Sequence, residues 1–220
     1  EGYTPITVSD LTDYLTGGAP LPPKPIVLTF DDGYLDNYQF AFPILKKYKF
    51  TATFNVITDF VDGKRPGYMT WDQLEEMAIE GMEIGSHTLD HPDLYRKPRA
   101  FQVTEIAGSK AVIEARIGTP VKTFTYPAGK YDSVTIDVLR SSGYLAALTC
   151  NSGNNDRATH PFHIDRRMMG RRLTLERFQT LLEILPLDIV DLVPAEGEVV
   201  FSTPEVFSAR IMNLNQVVPS

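Results

Sequence analysis

Short apolar runs alternate with longer amphipathic stretches along the chain. The apolar runs are rich in β-branched residues and end at turn formers, as buried strands do. The predicted strands cover residues 26–30, 51–57, 82–85, 122–126 and 144–150. Between the strands, apolar residues recur at helical spacing, as at Tyr38, Phe42 and Leu45. The predicted helices cover residues 38–48, 71–79, 99–117, 133–142 and 174–185.

Polar residues at the helix ends support these bounds. Thr70 and Gln73 fit a capping box that opens the second helix, and Gly81 fits its end. Asp132 can cap the helix that reaches Ser142. Strands that alternate with helices predict a parallel sheet, either open or closed into a barrel.

Candidate chemistry follows the predicted strands directly. In parallel α/β folds the functional residues cluster at the carboxyl ends of the strands. The pair Asp31-Asp32, the residue His87 and the segment 127–129 all occupy such positions. Pattern and chemistry therefore point to the same edge of the sheet.

Composition narrows the classes of function. A net charge of −7 excludes a phosphate-backbone binder, which needs a basic face. No stretch of eighteen apolar residues is present, so we expect no transmembrane span. The lone Cys150 cannot form an internal disulfide, and its neighbours predict a buried strand residue. The chain starts at Glu1 without a signal-like segment, and we expect a trimmed or mature form.

Two carboxylates and two histidines suggest a metal site. Asp31 and Asp32 are adjacent, and two neighbouring charged aspartates repel unless a cation lies between them. His87 and His91 follow about fifty-five residues later, spaced four residues apart. Two imidazoles and one carboxylate can bind a divalent metal with positions left open for water. The second aspartate would then be free to act as a base.

The sequence resembles the polysaccharide deacetylases of the NodB-homology type, carbohydrate esterase family four. Three segments carry the resemblance. They are Thr29-Phe30-Asp31-Asp32-Gly33-Tyr34, Ser86-His87-Thr88-Leu89-Asp90-His91-Pro92 and Phe124-Thr125-Tyr126-Pro127-Ala128-Gly129. The third segment is closest to the exopolysaccharide and peptidoglycan deacetylases with a Phe-x-Tyr-Pro motif. The resemblance implies a distorted or incomplete (β/α) barrel with about seven parallel strands.

Site residues are implied by the same resemblance. It makes Asp31 the catalytic base, and Asp32, His87 and His91 the ligands of a divalent metal, most often Zn²⁺. The backbone N–H of Ala128 matches the oxyanion donor. The aromatic and proline residues beside the motifs are expected to contact the glycan. These substrate-binding candidates are Tyr34, Tyr126, Pro127 and Tyr131.

The chain departs from the family pattern at three places. Thr125 stands where many members carry an arginine that orients the base. The tryptophan-centred fourth motif is not visible. In the fifth motif Arg166 occupies the position of the usual acid histidine, and the nearby His163 is the other candidate for the acid. A missing acid impairs amide hydrolysis more than ester hydrolysis, because an amine leaves only when it is protonated.

The sequence thus predicts a metal-dependent hydrolase that removes acetyl groups from N-acetylglucosamine-containing polysaccharides. The alternatives are an O-acetyl esterase acting on xylan or similar glycans, and a non-catalytic glycan-binding relative. We expect an N-terminal segment and connector over 1–25, a catalytic domain over 26–194, and a C-terminal extension over 195–220 with an added strand. An acetylated glycan is the expected partner, and a secreted or cell-surface monomer the expected form.

Overall fold

Six parallel strands form the main sheet, and they pair in the order in which they occur along the chain. The computed structural model describes residues 2–170, 172–183, 189–193 and 208–211, the last two ranges by their backbone. The strands are β1 (Thr4–Ile6), β2 (Pro25–Val27), β3 (Thr29–Phe30), β4 (Thr53–Val56), β5 (Glu83–Ser86), β6 (Thr123–Thr125), β7 (Ala146–Ser152), β8 (Ile164–Arg166), β9 (Ile189–Val193) and β10 (Ser208–Ile211). Strands β3 to β8 make the main sheet, in the topology of an incomplete (β/α) barrel.

Of the described helices, the first precedes this sheet, the last follows it, and the others connect its first five strands. The helices are α1 (Val8–Leu15), α2 (Phe42–Tyr48), α3 (Thr58–Asp62), α4 (Trp71–Ile79), α5 (Arg99–Ile117), α6 (Ser133–Ser141) and α7 (Leu175–Glu183). A π-helical turn, Asn37–Ala41, precedes α2, and 3₁₀ turns cover Pro127–Gly129 and Pro161–His163. The predicted α/β fold with a distorted barrel is therefore confirmed.

The sheet has six parallel strands in the described residues, where about seven were expected. The predicted strand 26–30 is divided at Leu28. Its first part, β2, pairs in parallel with β1, and its second part, β3, pairs with β4. A single extended segment thus contributes one strand to each of two sheets.

Helix capping agrees with the sequence. The Thr70 hydroxyl accepts a hydrogen bond from the Gln73 backbone N–H, and the Gln73 side chain accepts one from the Thr70 N–H. Asp132 caps α6 in the same way through Thr135. Helix α5 ends at Gly118, whose φ of 77° is readily adopted only by glycine. These contacts are local, which is why the sequence predicts them well.

The N-terminal segment contains a helix that the sequence analysis missed. The hydroxyl of Thr7 caps α1, and the Asp10 carboxylate returns the contact to the Thr7 N–H. Helix α1 packs on the inner side of the sheet. The buried residues of this contact are Ile6, Val8, Leu11, Ala146, Leu148 and Ile164. The Glu83 carboxylate at the start of β5 accepts from the Ser9 N–H at 3.2 Å and joins α1 to the amino end of the sheet.

The larger core lies between the sheet and the outer helices. Its fully buried side chains include Phe54 and Phe124 from the strands, Tyr126 directly after β6, and Leu74 from α4. Cys150 at the end of β7 is exposed, so the expectation that it is buried was wrong. The apolar neighbours that suggested burial belong to the middle of the strand.

At the C-terminus, β9 and β10 pair in antiparallel orientation. Strand β10 lies within the predicted extension 195–220, most of which is outside the described residues. The predicted domain boundaries remain predictions. No helix among the described residues is long and apolar enough to span a membrane.

Candidate metal centre and active site

The predicted chemistry gathers at the carboxyl ends of the strands. Asp31 and Asp32 follow β3, His87 follows β5, and Arg166 is the last residue of β8. The strands are parallel and adjacent in the sheet, so their ends share one edge. Arg166 and Asp31, which are 135 positions apart in sequence, come into contact there.

Asp32, His87 and His91 form a compact donor set. One ligand atom from each residue lies within 4.8 Å of the other two. The Nε2 atoms of His87 and His91 are 3.4 and 3.7 Å from Asp32 Oδ1. Two atoms bound to one tetrahedral ion at about 2.1 Å lie about 3.4 Å apart. The three side chains thus fit a divalent cation.

The ring of His87 is fixed by its other nitrogen. His87 is buried, and its Nδ1 lies 2.8 Å from the backbone oxygen of Thr125. A carbonyl oxygen only accepts hydrogen bonds, so Nδ1 carries the hydrogen and donates, and Nε2 presents its lone pair to the donor set. A backbone carbonyl of the segment 124–129 therefore orients a metal ligand that the segment 86–92 supplies.

His91 reaches the site through a strained loop and not through a helical turn. Thr88 and His91 have φ values of 70° and 58°, in the left-handed region. The Thr88 hydroxyl accepts from the His91 N–H at 2.9 Å. The buried carboxylate of Glu105 on α5 accepts from the N–H groups of Leu89 and Asp90 at 3.1 and 3.2 Å. Glu105 was missed from the sequence, although an acidic residue on the buried face of a helix is a usable signal.

The turn after β3 brings two neighbouring aspartates to one place. Asp32 and Gly33 have φ values of 72° and 80°. Alternation along an extended strand would direct Asp31 and Asp32 to opposite faces, and this left-handed turn removes that separation. A Cβ at position 33 would also lie 3.3 Å from Val56 Cγ1, which favours glycine there.

The pKa shifts at the donor set favour the protonation states that bind a metal. When the two imidazoles are protonated, a hydrogen bond from His87 and the positive charges of His87 and His91 stabilise the Asp32 carboxylate, which holds the pKa of Asp32 below its usual value against the effect of burial. Burial and the neighbouring His87 lower the pKa of His91. At neutral pH the set thus offers a carboxylate and a neutral imidazole at these two positions.

Asp31 is held outside the donor set by two partners. Arg166 Nη1 lies 2.9 Å from each of its carboxylate oxygens, and Asn55 Nδ2 donates to Oδ1 at 2.9 Å. Arg166 is therefore not an acid in this site, since a guanidinium keeps its proton at any physiological pH. It supplies from β8 the arginine contact to the base that Thr125 cannot make.

Arg166 also joins the two edge strands of the sheet. Its Nε donates to the Thr149 backbone oxygen at 2.9 Å, and Nη1 lies 3.3 Å from the Thr29 hydroxyl on β3. Strands β3 and β8 are at opposite ends of the pairing order. The side chain of Arg166 thus spans the gap between the edges of the incomplete barrel.

The sequence profile of the family described as polysaccharide deacetylase matches residues 18–147. The chain belongs to the polysaccharide deacetylase family. The YxkH protein of Bacillus subtilis is 34% identical over 165 residues, which are 74% of this chain and 58% of YxkH. The poly-beta-1,6-N-acetyl-D-glucosamine N-deacetylase of Escherichia coli K12 is 26% identical, over 70% of this chain and 29% of that enzyme. The chain spans less than two thirds of the length of either relative.

Solved structures agree with this assignment. The Streptococcus pyogenes deacetylase PplD, determined in complex with acetate, is 30% identical and superposes with a TM-score of 0.79. The superposition covers 83% of this chain and 80% of PplD. The incomplete parallel barrel is therefore a fold that this member of the family shares with a solved deacetylase.

Several residues predicted for the site of this family member lie elsewhere. Tyr126 is fully buried and donates its hydroxyl to the Phe162 backbone oxygen at 3.0 Å, and Pro127 is buried beside it. Tyr131 stacks on Tyr126 with 3.9 Å between the ring centroids. Tyr126 and Pro127 therefore pack the end of β6, and the prediction that they contact a glycan is wrong.

His163 was the other candidate for the acid. Its exposed ring lies 5.5 Å from Tyr131 and 5.0 Å from His160, between ring centroids. Alternation along β8 places Ile164 and Arg166 on the inner face, whereas Tyr131 packs on the outer face. The structure does not bring His163 to Asp31.

Ala128 and Tyr34 stay at the predicted edge. Ala128 is exposed in the turn after β6, with a φ of 51°. Tyr34 is 44% exposed, and the neighbouring Asp32 carboxylate raises its pKa to about 12. Their roles as oxyanion donor and glycan contact remain predictions.

Proposed function

We propose that this chain is a metal-dependent hydrolase that removes acetyl groups from N-acetylglucosamine-containing polysaccharides. One observation carries the proposal. Asp31 is a carboxylate that the donor set does not use, and Arg166 and Asn55 hold it next to that set. A site for binding alone needs no such spare base. The name of the Escherichia coli relative, a deacetylase of an N-acetylglucosamine polymer, supports the substrate class.

Asp32, His87 and His91 would hold the metal, and Zn²⁺ suits two imidazoles and one carboxylate. When bound, such a cation acts as a Lewis acid that activates water and polarises an acetyl carbonyl. The remaining steps belong to side chains and backbone of this chain.

Asp31 takes the proton from the attacking water, because its carboxylate is the group that Arg166 and Asn55 hold in position. The water oxygen bonds to the acetyl carbon, and negative charge develops on the carbonyl oxygen. The Ala128 backbone N–H donates to that oxygen. The bond between carbon and nitrogen then breaks, the nitrogen takes up the proton that Asp31 removed from the water, and acetate and an amino sugar are the products.

A panel of acetylated glycans tests the proposal. The wild-type protein, loaded with Zn²⁺, should release acetate from N-acetylglucosamine oligomers, and Asp31→Asn should release at least 100-fold less. Asp36→Asn is the matched control, because Asp36 is an exposed carboxylate that makes no side-chain cap to its helix. Equal rates for Asp31→Asn and wild type would show that the mechanism is wrong. Acetate release by the wild type would exclude the non-catalytic alternative.

O-acetyl ester hydrolysis is the second candidate, and the position of His163 favours it. An alkoxide leaves with less protonation than an amine does, and the ring neighbours of the candidate acid His163 are Tyr131 and His160, at 5.5 and 5.0 Å between centroids. Acetylated xylan in the same panel separates the two reactions. Release from xylan alone would exclude the N-deacetylase.

We also propose a secreted or cell-surface monomer. A polymeric glycan of the cell surface is accessible only to an enzyme on that side of the membrane. Cell fractionation checks the location, and size-exclusion chromatography with light scattering checks the oligomeric state. Recovery only in the cytoplasm would contradict the proposed location, and recovery only as a dimer would contradict the proposed monomer.

A further inference from the structure

Beside the donor set, three aromatic side chains form a continuous surface that the proposed reaction does not use. Tyr34 and Tyr68 lie 5.0 Å apart between ring centroids, and Phe60 meets Tyr68 edge-on at 4.9 Å. Arg65 closes the row, with its guanidinium carbon 4.1 Å from the centroid of Phe60. We call these residues, Tyr34, Phe60, Arg65 and Tyr68, the aromatic ledge.

The backbone fixes the ledge against the first motif. Tyr34 and Tyr68 form an isolated antiparallel bridge. The Leu35 N–H donates to the Gly67 oxygen at 2.8 Å, and the Met69 N–H donates to the Gly33 oxygen at 2.9 Å. The segment around Tyr68 is therefore bound to the same turn that carries Asp32, and the ledge keeps its position relative to the donor set.

The ledge has an accessible face and polar ends. Tyr34 is 44% exposed, and Tyr68 and Phe60 are half-buried, so the row is open to solvent along part of its length. The Tyr34 hydroxyl interacts with Asp32 and with the Tyr68 side chain. Arg65 is exposed and offers guanidinium N–H donors at the far end. Ring faces flanked by hydroxyl and N–H groups match a sugar ring, whose C–H faces are apolar and whose edge carries hydroxyls.

We propose that the aromatic ledge is a subsite for a neighbouring pyranose ring of the polysaccharide. The inference rests on the proposed function, because it assumes that the acetylated residue lies at the Asp32–His87–His91 set. With that residue in place, the next sugar of the chain lies on Tyr34 and Tyr68. Such a subsite would favour polymers over single acetylated sugars.

The test measures binding separately from turnover. Chitotetraose, a tetramer of N-acetylglucosamine, is titrated by calorimetry into Asp31→Asn protein with and without Tyr68→Ala. Loss of one stacking ring should raise the dissociation constant about tenfold. Tyr68→Phe keeps the ring and should lose less than threefold. Thermal unfolding midpoints confirm that both variants are folded.

Tyr48→Ala is the matched control. Tyr48 is an exposed tyrosine at the end of α2, and because α2 runs back from the carboxyl edge of β3, it lies at the other end of the sheet. Its removal should leave tetramer binding unchanged. Equal affinity of Tyr68→Ala and its parent, with normal acetate release by the wild type, would overturn the subsite alone. No tetramer binding and no acetate release by the wild type would overturn both the subsite and the proposed function.

Discussion

Replacing Arg166 by methionine should lower the rate of acetate release while leaving the metal site intact. The substitution keeps an apolar stem and removes the guanidinium. Asp31 then loses both 2.9 Å contacts to Nη1 and keeps the contact with Asn55. A carboxylate with one partner can rotate away from the water that it must deprotonate, so we expect the effect in kcat and not in KM.

The size of the effect follows from the lost contacts. A hydrogen bond to a charged group contributes about 1.5–3 kcal/mol. The Asp31 side chain is 21% exposed, so water replaces part of what is lost. One factor of ten in rate corresponds to about 1.4 kcal/mol, which gives a fall of about 10- to 100-fold in kcat.

The assay compares steady-state acetate release with the metal content of the same samples. Arg166→Lys restores a positive charge but not the planar guanidinium whose Nε also binds the Thr149 oxygen, and it should recover part of the rate. Arg167→Met is the control, because Arg167 donates to Asn154 at 2.9 Å and not to Asp31. An Arg166→Met protein with full metal content and wild-type kcat would refute the reasoning. A rate loss accompanied by an equal loss of metal would refute it as well, because the loss would then come from the metal site and not from the base.

Three further outcomes are expected. His87→Ala should lose its bound metal in elemental analysis while His160→Ala keeps it, and equal loss in both would reject the ligand set. Burial raises the pKa of Glu105, so the folded state favours the protonated side chain. The contribution of protonated Glu105 to the stability of the fold is lost as pH rises through the pKa of the folded state. In urea unfolding at several pH values, the free energy of unfolding of the wild type should therefore rise relative to that of Glu105→Gln as pH falls towards 4.5. A difference between the two proteins that does not change with pH would contradict this. Gly85→Ala should lower both activity and stability, by about 1–3 kcal/mol in unfolding, because its Cβ would displace the Asn55 side chain that holds Asp31; an unchanged kcat would exclude that link.

Local signals account for the parts of the fold that the sequence predicted. The capping boxes at Thr70 and Asp132 involve residues three positions apart, and the bounds of α5 follow from periodicity and Gly118. Helix α1 carries the same kind of signal, a capping box formed by Thr7 and Asp10. It was missed because an aspartate stands where glutamate or glutamine is usual.

Non-local contacts account for the parts that the sequence did not predict. The pairing of Arg166 with Asp31 depends on how far the sheet curls, which no window of the sequence records. Tyr126 shares its motif with the exposed Ala128, yet alternation turns Tyr126 to the outer face beneath Tyr131. A motif thus specifies which residues are near the strand ends, and the packing decides which of them face the donor set.

The position of Arg166 between the edge strands has a consequence for the dynamics of the molecule. Within the described residues, β3 and β8 are joined by side chains and not by a backbone ladder. Opening along this line breaks few contacts, so its free energy should lie well below that of global unfolding. Amide hydrogens of Phe30 and Asp165 should therefore exchange with solvent faster than those of the interior strands β4 and β5. The catalytic base would separate from its arginine in that open state, and activity would disappear on mild denaturation before the fold does.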